Sequence, residues 1–282
     1  METPYADAKA RPAPAAMRAR KAVLALAVCC ALAVAIPAAV SRVRDEQIAG
    51  AQWDELSARG ALRVAMDPGW RPFSFFDDAG WQGLDAELTR EIARRLQLTV
   101  QPDPVGYDAL YDALHLKRDD IAVSAVVVDP ARTATIAYSA AYFDAGIHMV
   151  VFDNPAIRRP QDLEGRRVAV ALGSDADRVA RYWERRLANL RRITTDDEAG
   201  AVAVARAGRA DAALVEAWVA LRETRDLAGN GAALVSIEPR LYAIAVRSDN
   251  TRLLAALNQA LADMRADGAL RKLIDRWVAM DP

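Results

Sequence analysis

The chain has 282 residues, more than a single hydrophobic core usually serves, and its 53% apolar and 27% charged residues exclude a disordered or fibrous protein. The formal net charge is −1, and residues 1–40 hold Lys9, Arg11, Arg18, Arg20 and Lys21 against only Glu2 and Asp7, so the remainder is more acidic still. Without a clustered basic face there is no footprint for a nucleic-acid partner.

Ala22 to Val40 carries no charge and comes directly after Arg18, Arg20 and Lys21. Basic residues before an apolar run keep the N-terminus inside and send the downstream chain across a membrane. Two forms stay open. Residues 22–40 are a signal peptide, with Ala33-Val34-Ala35 as an A-x-A site, or an uncleaved N-terminal anchor. Residues 1–21 are then the cytoplasmic n-region, and the folded part is periplasmic or extracytoplasmic. The only cysteines, Cys29 and Cys30, fall inside that run, and His115 and His148 are isolated, so neither a disulfide framework nor a metal site is expected.

Residues 41–60 read as a polar, partly helical lead-in. Ala61–Met66 is a short apolar strand stopped by the turn Asp67-Pro68-Gly69. From Gly83, Leu84, Leu88, Ile92 and Leu96 recur every four residues, a helical core stripe. A strand over Thr99–Gln101 and a short helix over Tyr107–Leu116 come next. Ile121 to Val128 is almost continuously apolar and β-branched, the mark of a strand covered on both faces. Strands alternating with helices through short connections imply a parallel α/β sheet.

The pattern then restarts. Val168–Leu172 is a strand, Gly173-Ser174-Asp175 leads into a helix, Asp196-Asp197-Glu198 opens another, and Ala212–Val215 is a strand ending at Glu216. Two such units imply two lobes, with Ile147–Phe152 and Leu241–Val246 as segments that could cross between them. Thr251 to Val278 reads as helical with a break near Gly268.

Ala61–Asp67 followed by Trp70-Arg-Pro-Phe73, Gly83-Leu-Asp-Ala-Glu-Leu88, Asp120–Val128 with Asp129-Pro-Ala-Arg132, and Gly165-Arg-Arg-Val168 with Leu172-Gly-Ser174 occur in that order. Ala207-Gly-Arg-Ala-Asp-Ala212, Tyr242–Arg247 and Asn258–Leu261 through Gly268 to Trp277 complete it. Together these resemble the family 3 bacterial extracellular solute-binding proteins, the amino-acid receptors of ABC transporters. The resemblance implies an α/β, two-lobe periplasmic-binding-protein clamp (type II), each lobe a sheet flanked by helices and joined by two hinge strands. Lobe 1 would comprise 61–150 plus 243–282, and lobe 2 would comprise 151–242. Its partners would be a small amino-acid-like ligand and the membrane permease of an ABC transporter. It would work as a monomer, with no cofactor and no catalytic residues.

An α-amino acid is a zwitterion, so its receptor needs a cation for the carboxylate and an anion for the ammonium. The resemblance makes Arg132 the carboxylate clamp, a planar fork that lysine cannot imitate. Backbone N–H groups at Gly173 and Ser174 open a helix and could serve the same carboxylate. Glu216 stands where the family usually has an aspartate for the ammonium, Asp67 matches a position that helps bind polar groups, and Trp70 and Tyr107 match rings that flank the ligand side chain. Each residue also has an ordinary structural reading as a turn, a cap or packing. The chain departs from the family at Val127, where a hydroxyl is usual, and at Asp129, which replaces threonine. If Asp129 faces the cleft it competes for Arg132; if it faces out it only starts a turn.

Two rival functions stay open. One is a cyclohexadienyl (arogenate-type) dehydratase on the same scaffold, with Glu216 as general acid and Arg132 as anchor. The other is a ligand sensor tethered through residues 22–40.

Overall fold

The computed structural model describes residues 46–227 and 231–279, so the export segment at 22–40 and both cysteines lie outside the described residues. Among the described residues no helix is long and apolar enough to cross a membrane. Residues 46–51 are helical, and a compact unit from Gln52 onward opens with the helical residues 52–59 (α1).

β1 (Ala61–Met66) is buried along its length, and its alternating side chains serve two different layers. Leu62, Val64 and Met66 pack on one side with Leu84, Leu88 and Ile92 of α2 (Leu84–Arg95), while Ala65 packs on the other with Leu110 and Leu114 of α3 (Leu110–His115). Between β1 and α2 lies a small antiparallel sheet of β2 (Gly69–Trp70), β3 (Ser74–Asp77) and β4 (Gly80–Gln82). β5 (Thr99–Pro104) and β6 (Ile121–Ala122) flank β1 in parallel. β7 (Ile136–Tyr138) and β8 (Phe143–Asp144) lead to the first crossing. β5 is an edge strand and carries Pro102 and Pro104.

The second sheet contains β9 (Ile147–Phe152), β10 (Arg167–Ala171), β11 (Arg191–Thr195), β12 (Ala212–Glu216) and β13 (Ala232–Glu238) in the order β11-β10-β12-β9-β13. Here too alternation feeds two layers. Val168, Val170, Ala212 and Leu214 face α4 (Asp175–Glu184), whereas Ala169, Ala213 and Val215 face α5 (Glu198–Arg206) and α6 (Ala217–Thr224). The chain returns through β14 (Leu241–Tyr242), paired with β8. It then enters the first sheet as β15 (Ala245–Arg247), antiparallel to both β6 and β7. α7 (Thr251–Ala266) and α8 (Ala269–Trp277) close the first lobe, separated at Gly268, whose φ of 77° is left-handed.

Two segments differ from the sequence reading. Ile147–Phe152 does not cross between lobes: it is an internal strand of the second sheet, and the crossings fall at 144–147 and 238–241. The apolar run from Ile121 stops being a strand at Ala122, and Ala125 takes a left-handed φ of 48° that an extended strand does not allow. The crossing is held by Asp144. Its carboxylate accepts from Gly146 N–H (3.0 Å), Arg240 N–H (2.9 Å) and Ser236 Oγ (2.6 Å), tying both crossing segments together. Burial opposes ionisation there, but these hydrogen bonds hold Asp144 below the usual carboxylate range.

Candidate functional site

In an open α/β sheet ligands sit at the carboxyl ends of the parallel strands. β1 ends at Asp67, whose carboxylate accepts from Gly69 N–H at 2.7 Å and from Tyr107 N–H at 2.8 Å. Asp67 therefore closes the turn after β1 and also ties it to the start of the Tyr107 segment. Trp70 and Tyr107 stand 55% and 42% exposed. Ser124 Oγ accepts from Asp67 N–H and donates to Asp67 C=O, both at 3.1 Å, so the loop after β6 is anchored beside the end of β1.

That loop runs on to Arg132. Asp129 caps the short 3₁₀ turn Pro130–Arg132 by accepting from Ala131 N–H (2.9 Å), and its other oxygen accepts from Arg132 Nε (3.1 Å). It thus starts the turn and competes for Arg132 at once. The guanidinium also lies over the Tyr111 ring, 4.3 Å from its centroid, so its plane is set by a ring and a carboxylate. The Nε contact leaves the two terminal nitrogens for a bidentate partner. Asp129→Asn keeps the cap and removes the competing charge. It should raise affinity for a carboxylate ligand several-fold, by titration calorimetry, in line with the ~1 kcal/mol or less of an exposed pair.

In the second lobe, β10 ends at Gly173-Ser174. Ser174 caps α4, its Oγ accepting from Asp177 N–H at 3.1 Å. The expected Gly173 donor is engaged, because its N–H donates to the Asp177 carboxylate at 3.0 Å, and Ser174 N–H points at Ala171 C=O. The first-turn donors without an intrahelical acceptor are those of Asp175 and Ala176. Asp177 is itself buried and gripped by Arg181 and Arg192; Arg181 foremost holds its carboxyl below the usual range. Its charge is thus met by two guanidinium groups although it stands at the start of α4.

Glu216 ends β12, half-buried, and accepts from Trp218 Nε1. Its own N–H donates to Glu198 Oε2 at 3.2 Å. Burial pushes the Glu198 carboxyl up to about 7, helped by the Glu216 charge. Glu216 lines a cavity of about 350 Å³ at the crossings, together with Val127, Asp175, Glu238, Arg240 and Leu241. Of the residues singled out from the sequence, the cavity wall contains only Glu216 and the variant position Val127. Asp67, Trp70, Tyr107 and Arg132 lie outside that wall, with Asp67 joined to Tyr107 and Arg132 to Asp129 and Tyr111. Sequence reading passed over Asp175, Glu198, Trp218 and Arg240. The Asp196-Asp197-Glu198 run was visible as a helix start, but nothing in it marks the third acid as the one folded back onto the end of β12.

Several buried carboxyls sit above their usual range: Asp85 and Glu198 at about 7 and Asp119 at about 6, all chiefly through burial. The folded state holds protons that the unfolded chain releases near pH 4, so their stabilisation falls as pH rises from about 4 through 7. Glu91, lowered to about 2 chiefly by Arg94, and Asp177 act in the opposite sense and weaken the fold as pH falls below about 4. Stability should therefore peak in mild acid. Thermal melts should give a lower Tm at pH 8 than at pH 5.5, and a Tm rising across that interval would contradict the assignment.

Comparison with known proteins points the same way. The family described as bacterial extracellular solute-binding proteins, family 3, matches residues 62–280. The L-cystine-binding protein TcyJ of Escherichia coli is 31% identical over 238 residues, covering 81% of this chain and 86% of the relative. The lysine/arginine/ornithine-binding periplasmic protein of Escherichia coli is 28% identical, covering 77% and 86%. Among solved structures, an ancestral cyclohexadienyl dehydratase aligns with a TM-score of 0.62 at 25% identity, covering 80% of this chain and 96% of that one.

Proposed function

The chain belongs to family 3 of the bacterial extracellular solute-binding proteins, and from that premise we propose that it captures a free amino acid between its lobes and hands it to an ABC-transporter permease. Arg132 takes the ligand carboxylate through its two terminal nitrogens. Glu216 takes the ammonium across the cleft, and Trp70 and Tyr107 flank the side chain. Ser174 keeps the α4 start in shape while the Asp175 and Ala176 N–H groups serve the ligand in place of Gly173. The observation that carries this reading is the loop from Ser124 to Arg132. It is fastened to the end of β1 and presents a guanidinium whose Nε is already fixed by Asp129.

Lobe 1 (61–144 plus 241–282) and lobe 2 (147–238) close about the Asp144 crossing, and ligand contacts to both stabilise the closed form. The protein works outside the cytoplasm as a monomer, placed there by residues 1–40, and is not an enzyme. Calorimetry with L-cystine, L-arginine, L-lysine, L-histidine and L-glutamine should find one ligand with a Kd on the order of micromolar or tighter. No heat with any α-amino acid would overturn the reading.

A dehydratase is the second reading, favoured by the adjacent carboxyls of Glu198 and Glu216 and by the likeness to the ancestral dehydratase. Incubation with prephenate or arogenate should release no aromatic product; release that is lost in Glu216→Gln would establish the enzyme instead.

A further inference from the structure

Asp85 has no part in the site described above, yet it is the most completely buried acid next to it, with no exposed surface. It is the second residue of α2, where an acid ordinarily points to solvent and simply answers the helix dipole. Here it points inward. Gly83 makes this possible: at φ 109° it brings the helix start so close to the preceding turn that a Cβ would lie 2.3 Å from Phe73 C=O. Asp85 N–H donates to that carbonyl at 2.8 Å.

The two carboxylate oxygens have separate partners. Oδ2 accepts from Ala125 N–H at 2.7 Å, and Oδ1 accepts from Tyr142 Oη–H at 2.6 Å. Among the described residues no arginine, lysine or histidine is ion-paired with Asp85, so the buried carboxyl is met by hydrogen bonds alone. One of those bonds falls on Ala125, the non-glycine residue with left-handed φ that turns the chain from β6 into the Arg132 loop. The rest of the loop is tied elsewhere. Ser124 is fastened to Asp67, and Val126 C=O and Val128 N–H pair with Ala243 and Leu241 of the returning strand. Tyr142, the other partner of Asp85, donates its own N–H to Tyr242 C=O in that same strand.

We propose that Asp85 is a positioning residue for ligand binding: from inside the first lobe it holds Ala125 in its left-handed turn, and thereby sets where the segment from Val127 to Arg132 stands relative to the returning strand. This rests on the reading of Arg132 as the ligand clamp. The physical reason is economy of states. An alanine at positive φ reverts readily to extended backbone, and the extended alternative would carry the apolar run on as a strand and move Arg132 away from the end of β1. A buried acceptor with no other duty for Oδ2 favours the turn over that alternative.

The first test needs no ligand. In the parent protein the Ala125 amide, which has no backbone acceptor, should exchange at least about 100-fold more slowly than a free peptide amide, and an unprotected Ala125 amide would overturn the proposal. Asp85→Ala should then lose that protection and lower affinity for the probes L-arginine and L-cystine by about 10-fold or more, the loss of a buried hydrogen bond. Asp85→Asn, whose amide oxygen can still face Ala125 N–H, should stay within about 3-fold of the parent. Leu88→Ala, which weakens the same helix through its core face, should lower Tm and leave affinity within about 3-fold. If Leu88→Ala costs as much affinity as Asp85→Ala, or if Asp85→Ala leaves both exchange and affinity unchanged, Asp85 is only a core group and the proposal fails. Should Asp85→Ala not fold, Asp85→Ala/Ala125→Gly, in which glycine takes positive φ freely, is the measured variant. Recovery of affinity to within about 3-fold of the parent supports the proposal, and continued loss in a folded protein overturns it. A parent that binds neither probe would count against the amino-acid reading, while the exchange comparison would still decide the role of Asp85.

Discussion

Gly146→Ala should destabilise the protein by about 3 kcal/mol or more and lower its Tm by on the order of 10 °C, by circular dichroism or calorimetry. A Cβ at this position would stand 2.0 Å from Glu238 C=O and 2.6 Å from Arg240 N. Both are backbone atoms of the second crossing segment, from the end of β13 to β14, so no flexible side chain can swing aside. Either the two crossing segments part, or the Asp144 carboxylate loses its grip on Arg240 and Ser236. Gly146 C=O also accepts from Ala217 N–H at 3.0 Å, next to the half-buried Glu216, so the disturbance reaches the proposed ammonium site. Ligand affinity should fall together with stability. A variant with parental Tm would mean that the crossing is far looser than its hydrogen bonds indicate.

Arg132→Ala should weaken binding of the best ligand by about 2–5 kcal/mol, the usual cost of removing one partner of a charge pair that binding buries. Folding should barely change, because the side chain is half-exposed before the ligand arrives and its bond to Asp129 is a surface pair worth little. Arg132→Lys is the sharper comparison. A lysine keeps the charge but can neither fork onto a carboxylate nor stack flat on Tyr111, so most of the loss should persist. Unchanged affinity in Arg132→Ala would remove this residue from the site.

Much of the architecture was legible because it depends on periodic burial. The four-residue spacing of Leu84, Leu88 and Ile92 and the alternation in β1, β10 and β12 reflect faces that meet distinct cores, and such faces leave a mark in the residue order. The edge strands β11 and β13 left little. In Arg191–Thr195 only Ile193 is apolar, and Ala232–Glu238 is exposed at alternate or adjacent positions, because an edge strand covers one side of little else. The Ile121–Val128 run misled for the opposite reason: its apolar residues as far as Val126 are indeed buried, but Ala125 N–H is satisfied by a carboxylate on another element, which no local pattern signals. The same holds at the site. Arg132, Glu216 and Ser174 could be placed at strand ends and helix starts, yet the Gly173 N–H was taken by Asp177, four residues further on, and the Glu198 carboxylate by Glu216. Which donor is already spoken for is a property of the folded neighbourhood, not of spacing.

The outer strand of the first sheet has one further implication. With Pro102 and Pro104 in β5, two of the N–H groups that would otherwise be offered along that margin do not exist. No extended segment from another polypeptide can complete a regular ladder there, so a chain that must fold among many neighbours is shielded from templated β-aggregation on that flank. Any docking partner must then recognise this flank by its side chains, such as the Asp103–Arg118 pair at 2.7 Å, rather than by strand addition.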